Sequence, residues 1–275
     1  MSESATAPVL FSVDSGVARL TLNSPGRKNA ISLDMAALIK QHCQTVHDDE
    51  SIGALLVDAE GGYFCSGADT RDLAAASKDP ATPEAVAIIS AVYGAFRDIG
   101  RLPVPTIALV EGGAVGAGMN LALAADLMIV TPDAVLDSGF LARGIHPGGG
   151  HLALLQRTLG LTGSVAMGAL GIPLSGTEAV ARGLAWASAD AGKLLATGRD
   201  VTRLAAADPA LARRIKQSAH LEHGLSVAQW DAAIEAERGV QMWSMSRKGS
   251  AAWSVRPTRP PLSRMYADSS PEPTD

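Results

Sequence analysis

Three glycine-bearing turns constrain this chain more tightly than any other feature: GGYFCSGAD at Gly61–Asp69, EGGAVGAGMN at Glu111–Asn120 and RGIHPGGGH at Arg143–His151. Each stands at a strand end. Glycine adopts dihedrals that other residues resist and lets ligand atoms approach the main chain. A helix that opens straight after such a turn aims free N–H groups, and the positive end of its dipole, at whatever lies in front. That arrangement favours a phosphate or a developing oxyanion. One such turn alone reads equally well as a tight helix start, and three at successive strand ends weaken that reading. Gly113, Gly116 and Gly118 do not give the dinucleotide spacing G-x-G-x-x-G, and no Gly-Lys-Ser/Thr follows any of the clusters.

The segments between the turns read as α/β. Val9–Leu22 alternates as two strands around a turn at Asp14–Gly16, and Ser32 caps a helix with Met35, Leu38, Ile39, Cys43 and Val46 at helical spacing. Ile52–Val57 is a compact apolar strand, completing a strand–helix–strand unit. Residues 72–100 read as helical with a mobile break near Ser77–Pro83; Pro105–Val110 and Leu127–Val130 read as strands flanking a small-residue helix at Met119–Ala125. A helix is predicted from His151 to Leu159, ended by Gly160, and Ser175 and Glu178 have capping-box spacing for a helix that stops at Gly183. From about Ala205 to Met245 the pattern is helical, an appendage or oligomerisation element, and the last thirty residues read as an irregular tail.

Composition narrows the function classes. With 47% hydrophobic but only 4% aromatic residues and 28 glycines, small apolar side chains dominate, as suits closely approaching backbones. The net charge is -5 and the Lys and Arg are scattered, so no basic face for nucleic acid or membrane is visible. Cys43 and Cys65 have no partner at metal-ligand spacing and read as buried thiols, so no metal site is expected. The apolar run Leu121–Val130 is broken by Asp126 and is too short to span a bilayer. MSESATAP at the start lacks the marks of a signal peptide and reads as a frayed tail, so a cytoplasmic protein is the expectation.

Five motifs follow one another: NSPGRKNAIS (Asn23–Ser32), FCSGADTRDL (Phe64–Leu73), PTIALVEGGAVGAGMNLALAAD (Pro105–Asp126), HPGGG (His146–Gly150) and LSGTEAVARGLA (Leu174–Ala185). In this order and separation the chain resembles the crotonase, or enoyl-coenzyme A hydratase/isomerase, superfamily. The match covers roughly residues 9–200 and weakens beyond about Leu204. The resemblance implies an α/β fold of the ClpP-like kind: a spiral of ββα turns that binds acyl-coenzyme A over residues 9–200. It also implies a helical trimerisation region with an irregular tail over residues 201–275, packing as a homotrimer or a dimer of trimers. By the same resemblance a thioester carbonyl is held between the backbone N–H groups of Ala68 and Ala117. Arg27, Lys28, Asn29 and Ala30 lie along the adenosine end of coenzyme A, and Ser66, Gly67, Asp69 and Gly116 complete the binding turns. Coenzyme A is then part of the thioester, with no permanently bound cofactor, and fatty acid metabolism is the implied setting. The physical logic is general: an enolate concentrates charge on one oxygen, and fixed amide donors stabilise that charge more than the neutral carbonyl.

The chain departs from the family's pattern at the two places where hydratases carry glutamates. Here they are Asn120 and Phe140, neither of which can act as general acid or base. Substitute proton carriers are sought in Asp137, beside Ser138, and in His146, with Asp69 and His151 ranked behind them as turn- and helix-end residues. Two readings follow: a lyase or isomerase acting on an acyl-coenzyme A, and an acyl-coenzyme A binder that does no chemistry. Trp230, Trp243 and Trp253 read as core or interface residues before tunnel linings, and Arg247, Lys248, Arg256 and Arg259 as a solvated basic stretch.

Overall fold

The computed structural model describes residues 7–223 and 226–255. The beginning of the MSESATAP segment, Gly224, and the tail with Arg256 and Arg259 lie outside the described residues.

Strands β1 (Val9–Asp14) and β2 (Val17–Leu22) pair antiparallel around Ser15 and Gly16, both at positive φ as a two-residue hairpin turn requires. Helix α1 (Leu33–Asp48) starts where Ser32 Oγ accepts the Met35 amide at 3.2 Å, and buries Met35, Ile39, Cys43 and Val46. Strand β3 (Ala54–Ala59) then runs parallel to β2. It starts and ends two residues later than expected, and the Gly53 amide donates to the Gly16 carbonyl just before it. Helices α2 (Thr70–Ala76) and α3 (Pro83–Gly100) flank the predicted break, whose first residue Ser77 accepts a hydrogen bond from Trp253 Nε1 at 2.8 Å.

Next come β4 (Thr106–Val110), β5 (Gly113–Val115), α4 (Ala117–Ala124), β6 (Leu127–Val130), β7 (Val135–Asp137) and α5 (His151–Ser164). They are followed by β8 (Leu174–Ser175), α6 (Gly176–Ala181), β9 (Ala187–Ser188), α7 (Ala191–Ala207), α8 (Pro209–His223) and α9 (Val227–Lys248). The larger sheet has the order β1-β2-β3-β4-β6-β9, parallel from β2 onward, and the smaller has the order β5-β7-β8. Isolated parallel bridges Ile31–Ala68 and Cys65–Ala114 continue the smaller sheet back toward the N-terminus. The chain thus climbs by alternating a turn of the large sheet, a turn of the small ladder and a helix, which is the ββα spiral of the crotonase fold.

Several local expectations shift. A short strand, β5, lies inside the second glycine cluster. Gly160 ends the first helical stretch of α5 as expected, its φ of 64° and ψ of −171° being non-helical, and a second short helical stretch follows through Ser164. The capping box forms as the sequence indicates, Glu178 accepting from the Ser175 amide at 2.8 Å. Helix α7 begins well before Leu204 and packs Leu194 and Gly198 onto Leu56 and Leu109, so a division at residue 200 falls inside a helix that belongs to the core. Both cysteines are buried, and burial pushes their thiol pKa values to about 12. Among the described residues no helix is long and apolar enough to cross a membrane.

Gly118 tests the spiral's tightest point. A Cβ there would collide with the Cys65 carbonyl, whereas Gly239, mid-helix and exposed in α9, has open space around it. Gly118→Ala should lower unfolding stability by about 2 kcal/mol or more through overpacking. Gly239→Ala should raise it by about 0.5–1 kcal/mol through helix propensity. Denaturant titration of both variants checks the pair; equal effects would contradict the packing described.

Candidate active site

The first and second glycine turns are stitched together. Phe64 N donates to Glu111 O (2.8 Å), Cys65 N to Gly113 O (3.1 Å), and Val115 N to Cys65 O (3.0 Å). One residue along, Ile31 N donates to Gly67 O (2.8 Å) and Asp69 N to Ile31 O (2.9 Å). In such a parallel bridge the intervening residue points its own N–H the other way. The Ala68 amide is therefore turned from Ile31 toward the second turn. Ala117 is the first residue of α4, and its N–H belongs to the unpaired set at a helix start. Among the described residues neither amide donates a backbone hydrogen bond. Gly67 (φ 111°) and Gly116 (φ 59°) supply the backbone conformations that bring the two turns this close: a Cβ on Gly67 would stand 3.8 Å from the Ala117 nitrogen.

Both amides belong to residues lining a cavity of about 710 Å³. Arg27, Lys28 and Ala30 line it too, beside Ser66 and Tyr63, with Lys28 Nζ 4.8 Å from the Tyr63 ring centre. Asp69 is buried and serves this wall from behind: it caps α2 through the Arg71 amide (2.9 Å) and pairs with Arg27 at 2.6 Å. Asn29 is not on the wall. It is fully buried, accepts from Ser24 N (2.7 Å) and donates to the Glu60 and Tyr63 carbonyls (2.9 and 2.7 Å), clamping the loop whose Lys28 and Asn29 both hold positive φ.

Asn120 and Phe140 line the cavity as well, but the proposed proton carriers do not. Asp137 is buried and turned back on its own turn, its Oδ1 accepting the Gly139 amide at 2.6 Å, an Asx-type arrangement. His146 Nδ1 lies 2.6 Å from the Pro147 carbonyl, and its backbone amide donates to Ser244 Oγ (2.8 Å). Among the described residues no Asp, Glu or His lines the cavity.

The third glycine turn has a different job from the other two. Glu237, reaching over from α9, accepts the His151 and Leu152 amides at 2.9 Å each, so the start of α5 already holds a carboxylate. Cβ atoms at Gly148, Gly149 and Gly150 would strike Gln241, Phe96 and Trp230. Those glycines let α3 and α9 press against the turn. Trp230 Nε1 is also bonded to Gly149 O at 3.1 Å, as its reading as a core residue implies. Trp253 does line the cavity, with Tyr93 and Phe96 of α3 and Gln241 of α9, whereas Trp243 is exposed under Arg247. Lys248 stands over the Trp253 ring at 4.9 Å. These wall residues come from elements distant in sequence and carry no motif; the small-residue run HPGGG was their one trace, as the socket for bulky neighbours.

Behind the cavity wall runs a buried polar chain. Ser138 Oγ lies 2.6 Å from His151 Nε2, His151 Nδ1 lies 2.6 Å from Asn120 Oδ1, and Asn120 Nδ2 donates to Gly148 O at 2.9 Å. Phe140 meets the imidazole edge-on, ring centres 4.9 Å apart. Burial lowers the His151 pKa to about 3, so the ring is neutral near pH 7.

Another cavity, of about 610 Å³, lies between α7, α8 and the sheet; there Asp126 pairs with Lys216 at 2.7 Å and with His220 at 2.8 Å, and Arg157 donates to the Leu123 carbonyl. Burial alone would raise the Asp126 carboxyl, but the His220 hydrogen bond and the Lys216 charge hold it below the usual carboxylate range. Among the described residues no cluster of His, Cys, Asp and Glu suits a metal ion.

With this geometry established, comparison with known proteins is specific. The family model for enoyl-CoA hydratase/isomerase matches residues 12–253. A probable enoyl-CoA hydratase of Mycobacterium tuberculosis is 42% identical over 183 residues, 66% of this chain and 70% of that protein. The 1,2-epoxyphenylacetyl-CoA isomerase of Escherichia coli is 32% identical over 201 residues, 73% of this chain and 77% of its own length. The fold matches the crystal structure of enoyl-CoA hydratase from Bacillus halodurans with a TM-score of 0.80 at 20% identity, covering 90% of this chain and 99% of that one. The chain belongs to the enoyl-CoA hydratase/isomerase family, and its fold is that of the crotonase superfamily.

The buried imidazole gives a pH test. The unfolded ring takes up a proton near pH 6.5 and the folded ring only near pH 3, so His151 removes stability as pH falls between these values. In an NMR titration the His151 signals should stay those of a neutral ring from pH 8 to about 5. A protonation midpoint near the ordinary histidine value would contradict the burial described.

Proposed function

We propose that this chain binds an acyl-coenzyme A thioester in the 710 Å³ cavity and acts on it as a lyase or isomerase through an enolate, the Ala68 and Ala117 amides holding the carbonyl oxygen as charge develops. The observation that carries this reading is the pair of amides without backbone acceptors, facing one cavity from two cross-linked turns. Amides fixed in a water-poor site stabilise the oxyanion at no cost in reorganisation. Arg27 and Lys28 on the wall suit the phosphates of coenzyme A, which enters as part of the substrate; no resident cofactor is proposed. We place the protein in the cytoplasm as a trimer or dimer of trimers; the exposed Leu204 of α7 and Leu211 and Ile215 of α8 support the assembly alone.

Asn120 and Phe140 stand where two-glutamate hydration needs carboxylates, and no described carboxylate or imidazole reaches the cavity. An enolate can also form without a protein base, when a β-carboxylate leaves the acyl chain as carbon dioxide and its bonding pair passes to the α-carbon. The Tyr93 phenol, which burial pushes well above its ordinary pKa, keeps its proton in a hydrogen bond to Gln241 Oε1 and is no base. The same lack of a base favours a second reading, an acyl-coenzyme A binder without turnover.

Proline tests the oxyanion claim cleanly. At the first position of a helix it removes only an N–H that the helix does not use. Ala117→Pro should therefore lower kcat about 10²–10³-fold on any acyl-coenzyme A the wild type turns over. Its affinity for free coenzyme A should be unchanged by calorimetry. Unaltered kcat would remove Ala117 from the site, and no turnover of any thioester by a wild type that binds them would leave the binder.

A further inference from the structure

The buried chain behind the cavity wall has a fixed direction. The Gly148 carbonyl can only accept, so the Asn120 group facing it at 2.9 Å is the NH₂, and Oδ1 faces His151. An amide oxygen can only accept, so His151 carries its proton on Nδ1. The ring is neutral, so Nε2 bears a lone pair, and the Ser138 hydroxyl at 2.6 Å donates to it. Ser138, His151 and Gly148 thus fix the Asn120 carboxamide with its oxygen engaged and its NH₂ forward. One N–H of Nδ2 goes to Gly148; no described protein group accepts the other, and Asn120 lines the cavity. Gln241 repeats the pattern on the same cavity. The Tyr93 oxygen takes a hydrogen bond from the Gly149 backbone, and its own proton goes to Gln241 Oε1, leaving Nε2 without a described acceptor.

We propose that Asn120 is a specificity-determining donor for an acyl group that carries an acceptor oxygen (hydroxyl, oxo or carboxylate), and that Ser138 and His151 are positioning residues that keep its NH₂ turned to the cavity. The proposal rests on the reading that the thioester binds in this cavity. A hydrocarbon chain would leave the Asn120 N–H buried and unpaired, whereas an oxygen on the chain satisfies it. Phe140 closes the imidazole's flank with an apolar edge, so water cannot take over the role of Ser138 from that side.

Calorimetry with butyryl-coenzyme A and its 3-hydroxy and 4-hydroxy counterparts tests this. The wild type should bind at least one hydroxylated thioester roughly tenfold or more tightly than butyryl-coenzyme A. Asn120→Leu should bring that ratio to about one by removing the donor. Butyryl-coenzyme A should still bind this variant, which guards against misfolding. His151→Phe should lower the ratio while butyryl-coenzyme A still binds, an outcome a purely structural histidine would not produce. Equal wild-type affinities, or a preference that survives Asn120→Leu, would overturn the proposal and leave the thioester reading standing. If no thioester binds, the thioester reading fails and takes this one with it.

Discussion

The backbone ladder between the first two glycine turns is the interaction on which the rest depends. Cys65 exchanges hydrogen bonds with Gly113 and Val115, and Gly118 has no side chain because the Cys65 carbonyl fills that space. This contact converts two loops that are distant in sequence into one rigid piece of main chain. Its product is a pair of amides, at Ala68 and Ala117, with hydrogen-bonding capacity that folding leaves unused. Folded proteins pair almost every backbone group, and two such donors beside one cavity are the observation behind the proposed thioester site.

The third turn secures a different relationship. Glu237 neutralises the start of α5, and the glycines of HPGGG admit Gln241, Phe96 and Trp230 against the main chain. By anchoring α9 there, the chain obtains a cavity wall made of Tyr93, Gln241 and Trp253 and a roof for the buried Ser138–His151–Asn120 chain. Asn120 and His151 are thereby linked physically, as an amide whose orientation an imidazole controls. An acceptor oxygen in place of Nδ2 would face the Gly148 carbonyl, acceptor against acceptor.

The spiral was legible in the sequence because its signals are local, whereas the Ala68 and Ala117 assignment came from the family resemblance. Glycines in turns, the Ser32 cap and the Ser175–Glu178 box each act within a few residues. What was not legible depends on contacts across the fold. Asp137 and His146 looked available because spacing cannot reveal that Asp137 Oδ1 meets the Gly139 amide and His146 Nδ1 the Pro147 carbonyl. Asn29 sat within a binding motif, yet its three hydrogen bonds hold the loop from inside. His151 was read as a helix-end residue, and its partners Ser138 and Asn120 lie 13 and 31 positions away on other elements. Gly160, by contrast, carried a local stop signal that its non-helical backbone follows.

Isotope-edited infrared spectroscopy of a bound acyl-coenzyme A, labelled with ¹³C at the thioester carbonyl, reports directly on the two amides. If both donate to that oxygen, the carbonyl stretch moves to lower frequency on binding and shifts back toward its solution position when one amide proton is removed. A bound thioester whose carbonyl frequency matches that in water, with and without the amide at position 117, would contradict the central claim.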